Sequence, residues 1–362
     1  MIRAALSDFA APSAPSADLR RANDRAVGLW LLGCAAMVFA MAVIGAITRL
    51  TESGLSIMEW APVSGALPPL SEAEWQRLFA LYRQTPEYQE INAGMSLAAF
   101  KTIFWWEYVH RLWGRLIGIV FLLPFLWFLL TRRLRPSLTG PLLGLFLLGG
   151  LQGALGWFMV ASGFAERTDV SQYRLTAHLL LAVAIYAALL WIAFALLAPD
   201  RSALDAKARA LRRASIGFLG LLLVTIASGA LVAGLNAGLI YNSFPLMGGD
   251  WVPADYRALE SWWLNAFENP TAAQLHHRVL AVLTTIAALG LCLWTMRFPP
   301  ATTVQRALLL LGIVTLAQFG LGVATLLAVV PVGLGALHQA GALLLLTAAL
   351  WALSRLRPPA AG

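Results

Sequence analysis

The sequence predicts an all-α polytopic membrane protein whose eight transmembrane helices form two four-helix bundles related by a pseudo-twofold axis. Three observations predict it. The first is composition: 59% of the 362 residues are hydrophobic, 12% are charged and mean hydropathy is +0.73, which is far from the balance of a soluble domain. The second is a set of eight apolar runs, at roughly 28–48, 105–130, 140–162, 173–197, 214–235, 272–296, 305–330 and 334–354; a bilayer crossing needs about 20 residues. The third is an internal repeat that lays the first four runs on the last four.

Taken in chain order, residues 1–25 are rich in Ala, Pro and Ser and read as a disordered cytoplasmic tail. Asp8, Asp18 and Asp24 count against a transit peptide. The first run lacks a short apolar core followed by a small-residue cleavage site, so it reads as a retained span. The outer loop 50–104 carries "PPLSEAEWQRLFALYRQTPEYQE". There Ser71 and Glu74 have capping-box spacing, and Trp75, Leu78, Phe79 and Tyr82 give an amphipathic helix that lies on the bundle or at the interface. It is placed to cover the first-half pocket, as "NSFPLMGGDWVP" after the fifth run is placed to cover the second. Residues 26–198 make the N-terminal bundle, 199–213 a cytoplasmic linker and 214–357 the C-terminal bundle; Pro331 and Gly333 mark a short turn between the last two runs.

Net charge is +8. The basic residues gather at 20–25, 131–135, 201–213, 297–306 and 354–357, which are the N-terminus, every second loop and the C-terminus. The positive-inside rule therefore puts both termini in the cytoplasm. The excess is a topology signal and not a nucleic-acid patch. The two cysteines, Cys34 and Cys292, both fall inside spans, which excludes an outer-loop disulfide or CxxC redox pair.

The repeat pairs Gly45 and Gly54 with Gly229 and Gly238, His110 and Arg111 with His277 and Arg278, Gln152 and Gly156 with Gln318 and Gly322, and His178 with His338. Each half holds an even number of spans, so the halves are parallel repeats. All five histidines, His110, His178, His276, His277 and His338, lie within about two turns of the outer ends of the even-numbered runs. A lone intramembrane histidine is often a helix-to-helix hydrogen-bond partner. Two imidazoles at one depth in a four-helix bundle, recurring in both halves, point instead to bis-histidine haem ligation. Gly153, Gly156, Gly320 and Gly322 would let a flat ring approach the backbone. No cysteine or carboxylate cluster completes a tetrahedral zinc set. His276 lies about 100° around the helix from His277 and reads as a propionate or packing contact. Arg111 and Arg278 either pair with propionates or snorkel at the interface. The repeat breaks where Glu107 faces Gln274. Glu107 is three residues before His110, on the same side of the helix, so one half keeps an ionisable group that the other lacks. An ordinary i,i+4 pair with Arg111 is the plainer reading.

The runs "ITRLTESGLSIMEWAPVSGALPPL", "EYVHRLWGR", "TAHLLLA", "LHHRVLA" and "LHQAGALLLL" resemble haem A synthase over residues from about 28 to 355. The resemblance implies two pseudo-symmetric four-helix domains. It also implies an oxidoreductase that converts a ring methyl of haem O into a formyl group by successive hydroxylations, giving haem A for terminal oxidases. On that resemblance His110 and His178 ligate the substrate haem O, and His277 and His338 ligate a haem B cofactor. Glu107 is then the catalytic residue, stabilising a carbocation on the methyl carbon; Arg111, Arg278 and His276 are pocket or propionate contacts. The implied setting is a bacterial inner membrane with the haem sites toward the periplasm. The implied partners are membrane lipid, haem O synthase and an electron donor or acceptor, with a homo-oligomer open. Because outer-loop cysteine pairs are absent, the chain is similar to the alphaproteobacterial and mitochondrial branch. Two rival readings remain at this point: a dihaem b-type electron-transfer protein, and a parallel-repeat transporter with broken helices at the midplane.

Overall fold

The computed structural model describes residues 16–61, 64–163, 170–198 and 204–358. Among them the chain forms eleven α-helices and no strand. Eight helices are long and apolar enough to cross a membrane: α1 (Ala17–Leu50), α4 (Leu97–Leu130), α5 (Pro136–Gly163), α6 (Gln172–Leu197), α7 (Ala206–Gly234), α9 (Pro270–Arg297), α10 (Thr302–Leu327) and α11 (Val332–Arg355). Short α2 (Glu72–Tyr82), α3 (Pro86–Glu90) and α8 (Trp262–Glu268) lie in the two long loops. The protein is a multi-pass membrane protein.

Two boundaries differ from the sequence reading. Ser16 caps α1, its hydroxyl accepting from Leu19 N at 3.3 Å, with Asp18 in the first turn. Residues 17–25 are therefore helical and not tail, because a cap and a favourable first-turn charge start the helix upstream of the apolar run. Likewise Asp205 accepts from Ala208 N at 2.6 Å, so α7 absorbs 206–213 of the expected linker. Residues 1–15 of the tail, 199–203 of the linker and 164–169 of the outer loop lie outside the described residues.

In α2, Ser71 Oγ accepts from Glu74 N at 3.2 Å. The Glu74 carboxylate turns to Arg77 instead of back to Ser71, so only half of the capping box forms. Of the two placements open to this helix, the bundle is the observed one. Trp75 and Tyr82 are buried against Phe100 and Phe104. At 1.5 Å per residue the 34-residue α4 is roughly 51 Å long, well beyond a hydrocarbon core of about 30 Å. Helix α2 packs on its N-terminal stretch. In the same loop Arg77 bonds both carboxylate oxygens of Glu59 at 2.8 and 2.7 Å, and that contact holds the Glu59 carboxyl below its usual range.

Helix α1 packs on α4 and α6, and α5 on α4 and α6; α9 packs on α7 and α10, and α10 on α11. The two sets meet where α1 touches α11, α6 touches α7, and α6 touches α11. Glycine decides one of these approaches and eases a second. A Cβ on Gly234 would stand 2.6 Å from Gln172 Cα, and one on Gly335 would stand 2.6 Å from Leu50 Cδ1. At the C-terminal ends of α1 and α7, Arg49 Nη2 donates to Asn236 Oδ1 at 3.0 Å. At the opposite end Arg135 pairs with the buried Asp24, joining the α4–α5 turn to the start of α1. The repeat reaches the backbone: Glu52 after α1 and its counterpart Asn236 after α7 both turn left-handed, with φ of 52° and 51°. For residues that carry a Cβ this is a sparsely used conformation.

Candidate functional site

Each of the four repeat-related histidines lies on a glycine of another helix. A Cβ built on Gly45 (α1) would be 3.0 Å from His110 Cε1, on Gly156 (α5) 3.0 Å from His178 Cε1, on Gly229 (α7) 3.0 Å from His277 Cε1, and on Gly322 (α10) 2.8 Å from His338 Cε1. The imidazoles therefore sit against helix backbone, where any larger residue would displace them. A side chain at Gly156 or Gly322 would meet a histidine ring. Gly153 and Gly320 do face open space.

His277 and His338 have perpendicular ring planes, at 89°, with ring centroids 6.4 Å apart. That separation leaves room for one metal ion bonded to a nitrogen of each ring at about 2 Å. Ser228 Oγ lies 2.9 Å from His277 Nδ1, and Gln318 Nε2 lies 3.1 Å from His338 Nδ1. Nε2 is the nitrogen left over on both rings. The other half carries His110 on α4 and His178 on α6. There Gln152 Nε2 lies 3.3 Å from His178 Nε2, and Nδ1 of both His110 and His178 is buried without a partner. Gln152 and Gln318 each donate to the backbone carbonyl of their histidine, at 3.0 and 2.9 Å. They clamp α6 to α5 and α11 to α10 at the level of the rings.

The charged mouth of α4 proves to be a staple. Glu107, 3% exposed, accepts from Ser56 Oγ and Ile57 N, both at 2.7 Å on Oε2. Its Oε1 accepts from Arg111 Nη2 at 2.6 Å. Arg111 also donates to Ile57 O at 2.7 Å and Glu59 O at 3.1 Å, and Arg115 donates to Ala61 O at 2.8 Å. Three side chains spaced by four residues thus hold segment 56–61 along one face of α4. Trp60 of that segment reaches Trp157 of α5, ring centroids 6.1 Å apart. Below it a small cavity is lined by Met58, Trp60, Arg111, Trp157, Val160 and Ala161.

The second half repeats the staple with opposite polarity. Gln274 Nε2 donates to Ala237 O at 2.9 Å and Tyr241 O at 3.2 Å. Its Oε1 accepts from Arg278 Nη2 at 3.3 Å, which also donates to Tyr241 O at 2.8 Å. Arg278 Nη1 donates to Ser243 O at 2.8 Å. The loop after α1 presents donors and meets a carboxylate; the loop after α7 presents carbonyls and meets an amide. The plain i,i+4 pair of Glu107 with Arg111 forms, and Arg111 and Arg278 spend donors on loop carbonyls. His276 turns away from the histidine pair, its Nε2 lying 2.9 Å from Tyr256 OH.

A family model described as a cytochrome oxidase assembly protein matches residues 28–350. The chain belongs to that family. Among curated relatives it is 56% identical to the "Heme A synthase" of Rhodospirillum centenum over 338 residues, 93% of this chain and 90% of the relative. It is 49% identical to that of Nitrosospira multiformis over 343 residues, 94% and 96% of the two chains, and 48% identical to that of Parvibaculum lavamentivorans over 335 residues, 92% and 95%.

In this member of the cytochrome oxidase assembly family, sequence reasoning finds the histidines, the Glu107–Gln274 break and the arginines. It misses Ser56 and Ser228 as partners, Gly45 and Gly229 as seats, and Tyr256. Ser228 has a usable signal: it is a mismatch with Ile44 one residue before the matched Gly45 and Gly229.

Proposed function

We propose that the chain is a haem A synthase of the inner membrane, oxidising the methyl group of haem O to the formyl group of haem A. The arrangement that carries this reading is the fourfold histidine-on-glycine seat, joined to an ionisable group in one half only. On this reading the two halves are pseudo-twofold-related bundles. His110 and His178 hold haem O in the N-terminal half; His277 and His338 hold haem B in the C-terminal half.

The donor set fits a bis-histidine haem. On His277 the Ser228 hydroxyl engages Nδ1, which leaves Nε2 as the ligand nitrogen, and the His338 ring centroid stands 6.4 Å away. Bound there, haem B supplies a one-electron redox centre. The protein's own contribution is positional. The glycine seats fix ring height, the Gln152 and Gln318 clamps fix helix register, and the Glu107 staple closes the outer mouth of the substrate half. Glu107 also places a fixed negative charge on the helix that carries His110, where positive charge developing on the methyl carbon would be stabilised by a preorganised group. Arg111 and Arg278 hold the loops over the two pockets, and a propionate contact would use donors beyond those the carbonyls take.

The reaction is a net oxidation, so an electron acceptor is a required partner, with membrane lipid and the enzyme that supplies haem O as the others; a homo-oligomer is compatible with the exposed apolar helix faces. The basic loops support cytoplasmic termini and haem sites on the periplasmic side. The dihaem electron-transfer reading finds no support among the relatives. The transporter reading calls for broken helices, and the eight long helices run unbroken through the described residues. The test is co-production with a haem O synthase in a cell that makes no haem A. Haem A in the extracted pigment supports the assignment, and haem O alone with abundant folded protein refutes it.

A further inference from the structure

The two halves share their histidines and glycine seats but differ one layer further out. In the C-terminal half the Ser228 hydroxyl lies 2.9 Å from His277 Nδ1 and donates to Thr225 O at 2.8 Å. A hydroxyl has a single proton to give. With it committed to Thr225 O, Ser228 accepts from Nδ1–H. His277 is thereby fixed in the tautomer whose Nε2 carries the lone pair that a metal needs. Thr225 is itself tied to Thr284, Oγ1 to Oγ1 at 2.8 Å, and all three residues are buried.

The register that pairs Gly45 with Gly229 puts Ile44 at the place of Ser228 and Met41 at the place of Thr225; the register that pairs His110 with His277 puts Ile117 at the place of Thr284. Three polar side chains become three apolar ones, and His110 Nδ1 is buried without a partner. The second histidine of each half is met by a glutamine amide at a different ring nitrogen. Gln318 meets His338 at Nδ1, whereas Gln152 meets His178 at Nε2 and leaves its Nδ1 buried and unpaired.

Resting on the assignment of haem B to one half and haem O to the other, we infer that Ser228 and its counterpart Ile44 are positioning residues that make the C-terminal site retentive and the N-terminal site exchangeable. A ligating imidazole whose other nitrogen donates to a fixed acceptor is better oriented and more basic, and loss of such a partner costs about 10- to 100-fold in metal affinity. A cofactor site gains from that hold. A site that must take in haem O and release haem A is served by its absence, and an apolar residue in place of the serine provides the absence without altering the glycine seat.

The test uses full-length protein in detergent, wild type beside Ser228→Ala, Ser228→Thr and Ile44→Ser. Excess apomyoglobin reports haem loss, and redox titration reports the haem B midpoint potential. Ser228→Ala is expected to lose haem B about 10- to 100-fold faster with a more positive potential, since a less basic ligand stabilises ferric iron less; Ser228→Thr restores both. Ile44→Ser is expected to retain more haem O and haem A per haem B through purification. Wild-type release and potential in Ser228→Ala overturn the proposal, as does unchanged retention in Ile44→Ser, which decides the matter alone if Ser228→Ala fails to accumulate. His277→Ala separates the two levels: if it keeps haem B, the site assignment itself has failed and not the role of Ser228.

Discussion

At the scale of single residues, the Glu107–Gln274 pair explains why an ionisable group sits at the mouth of one half. The carboxylate meets three donors: Ser56 Oγ, Ile57 N and Arg111 Nη2. The amide donates to two carbonyls and accepts from one arginine. Each suits its own loop and is wrong for the other. Glu107→Gln replaces one acceptor oxygen with an NH2 group that must face either Ser56 Oγ and Ile57 N or Arg111 Nη2, leaving buried groups unpaired at a cost of about 1–3 kcal/mol. Haem A formation is expected to fall at least about tenfold while haem B per protein stays at the wild-type value, as pigment extraction would record. Glu107→Ala should abolish haem A formation with haem B still bound, and formation at the wild-type rate would remove Glu107 from the catalytic machinery. The sequence reveals the ionisable difference, since Glu and Gln occupy one repeat position. It does not reveal the polarity of the loops, because whether residue 57 offers its N–H or residue 241 its C=O depends on the path of the backbone after the helix end.

At the scale of helices, the glycine seats are the feature on which the proposed haem retention turns. Gly229→Ala puts a Cβ 3.0 Å from His277 Cε1, closer than carbon atoms pack, so the imidazole must shift. Loss of haem B is expected, with the N-terminal pigment unchanged; Gly156→Ala should do the reverse through His178. Gly217→Ala is the control: nothing lies within 4 Å of its Cβ, and replacing a helical glycine there stabilises by up to about 1 kcal/mol. A haem-to-protein ratio measured on the three variants checks all of this. The glycines are visible in the sequence as matched pairs, but their partners are not, because a glycine shows only that something approaches closely. Helix starts are legible to within a turn or three for a different reason. Apolar runs mark where lipid is met, whereas Ser16 and Asp205 start α1 and α7 in water before the apolar stretch begins.

At the scale of the whole molecule, the eight spans are the most legible feature, because lipid leaves backbone groups no alternative to internal hydrogen bonds and so enforces long apolar helices. The ion pair of Arg135 with Asp24 joins the α4–α5 turn to the start of α1, at the end proposed to face the cytoplasm. Reporters fused after residue 135 and at the C-terminus should be active only in their cytoplasmic form, and a periplasmic signal from either would invert the topology. The repeat itself can be read from matched Gly, His and Gln residues. On the proposed reading, the difference between the halves lies in the polar partners one layer behind the histidines, where the halves cease to match. The most direct test of two haem sites with distinct tasks is the pigment content of His110→Ala beside His277→Ala, each co-produced with a haem O synthase. The account predicts that His110→Ala keeps haem B and lacks haem O and haem A, while His277→Ala lacks haem B. Equal loss of haem B from both variants, or its full retention in His277→Ala, would contradict it.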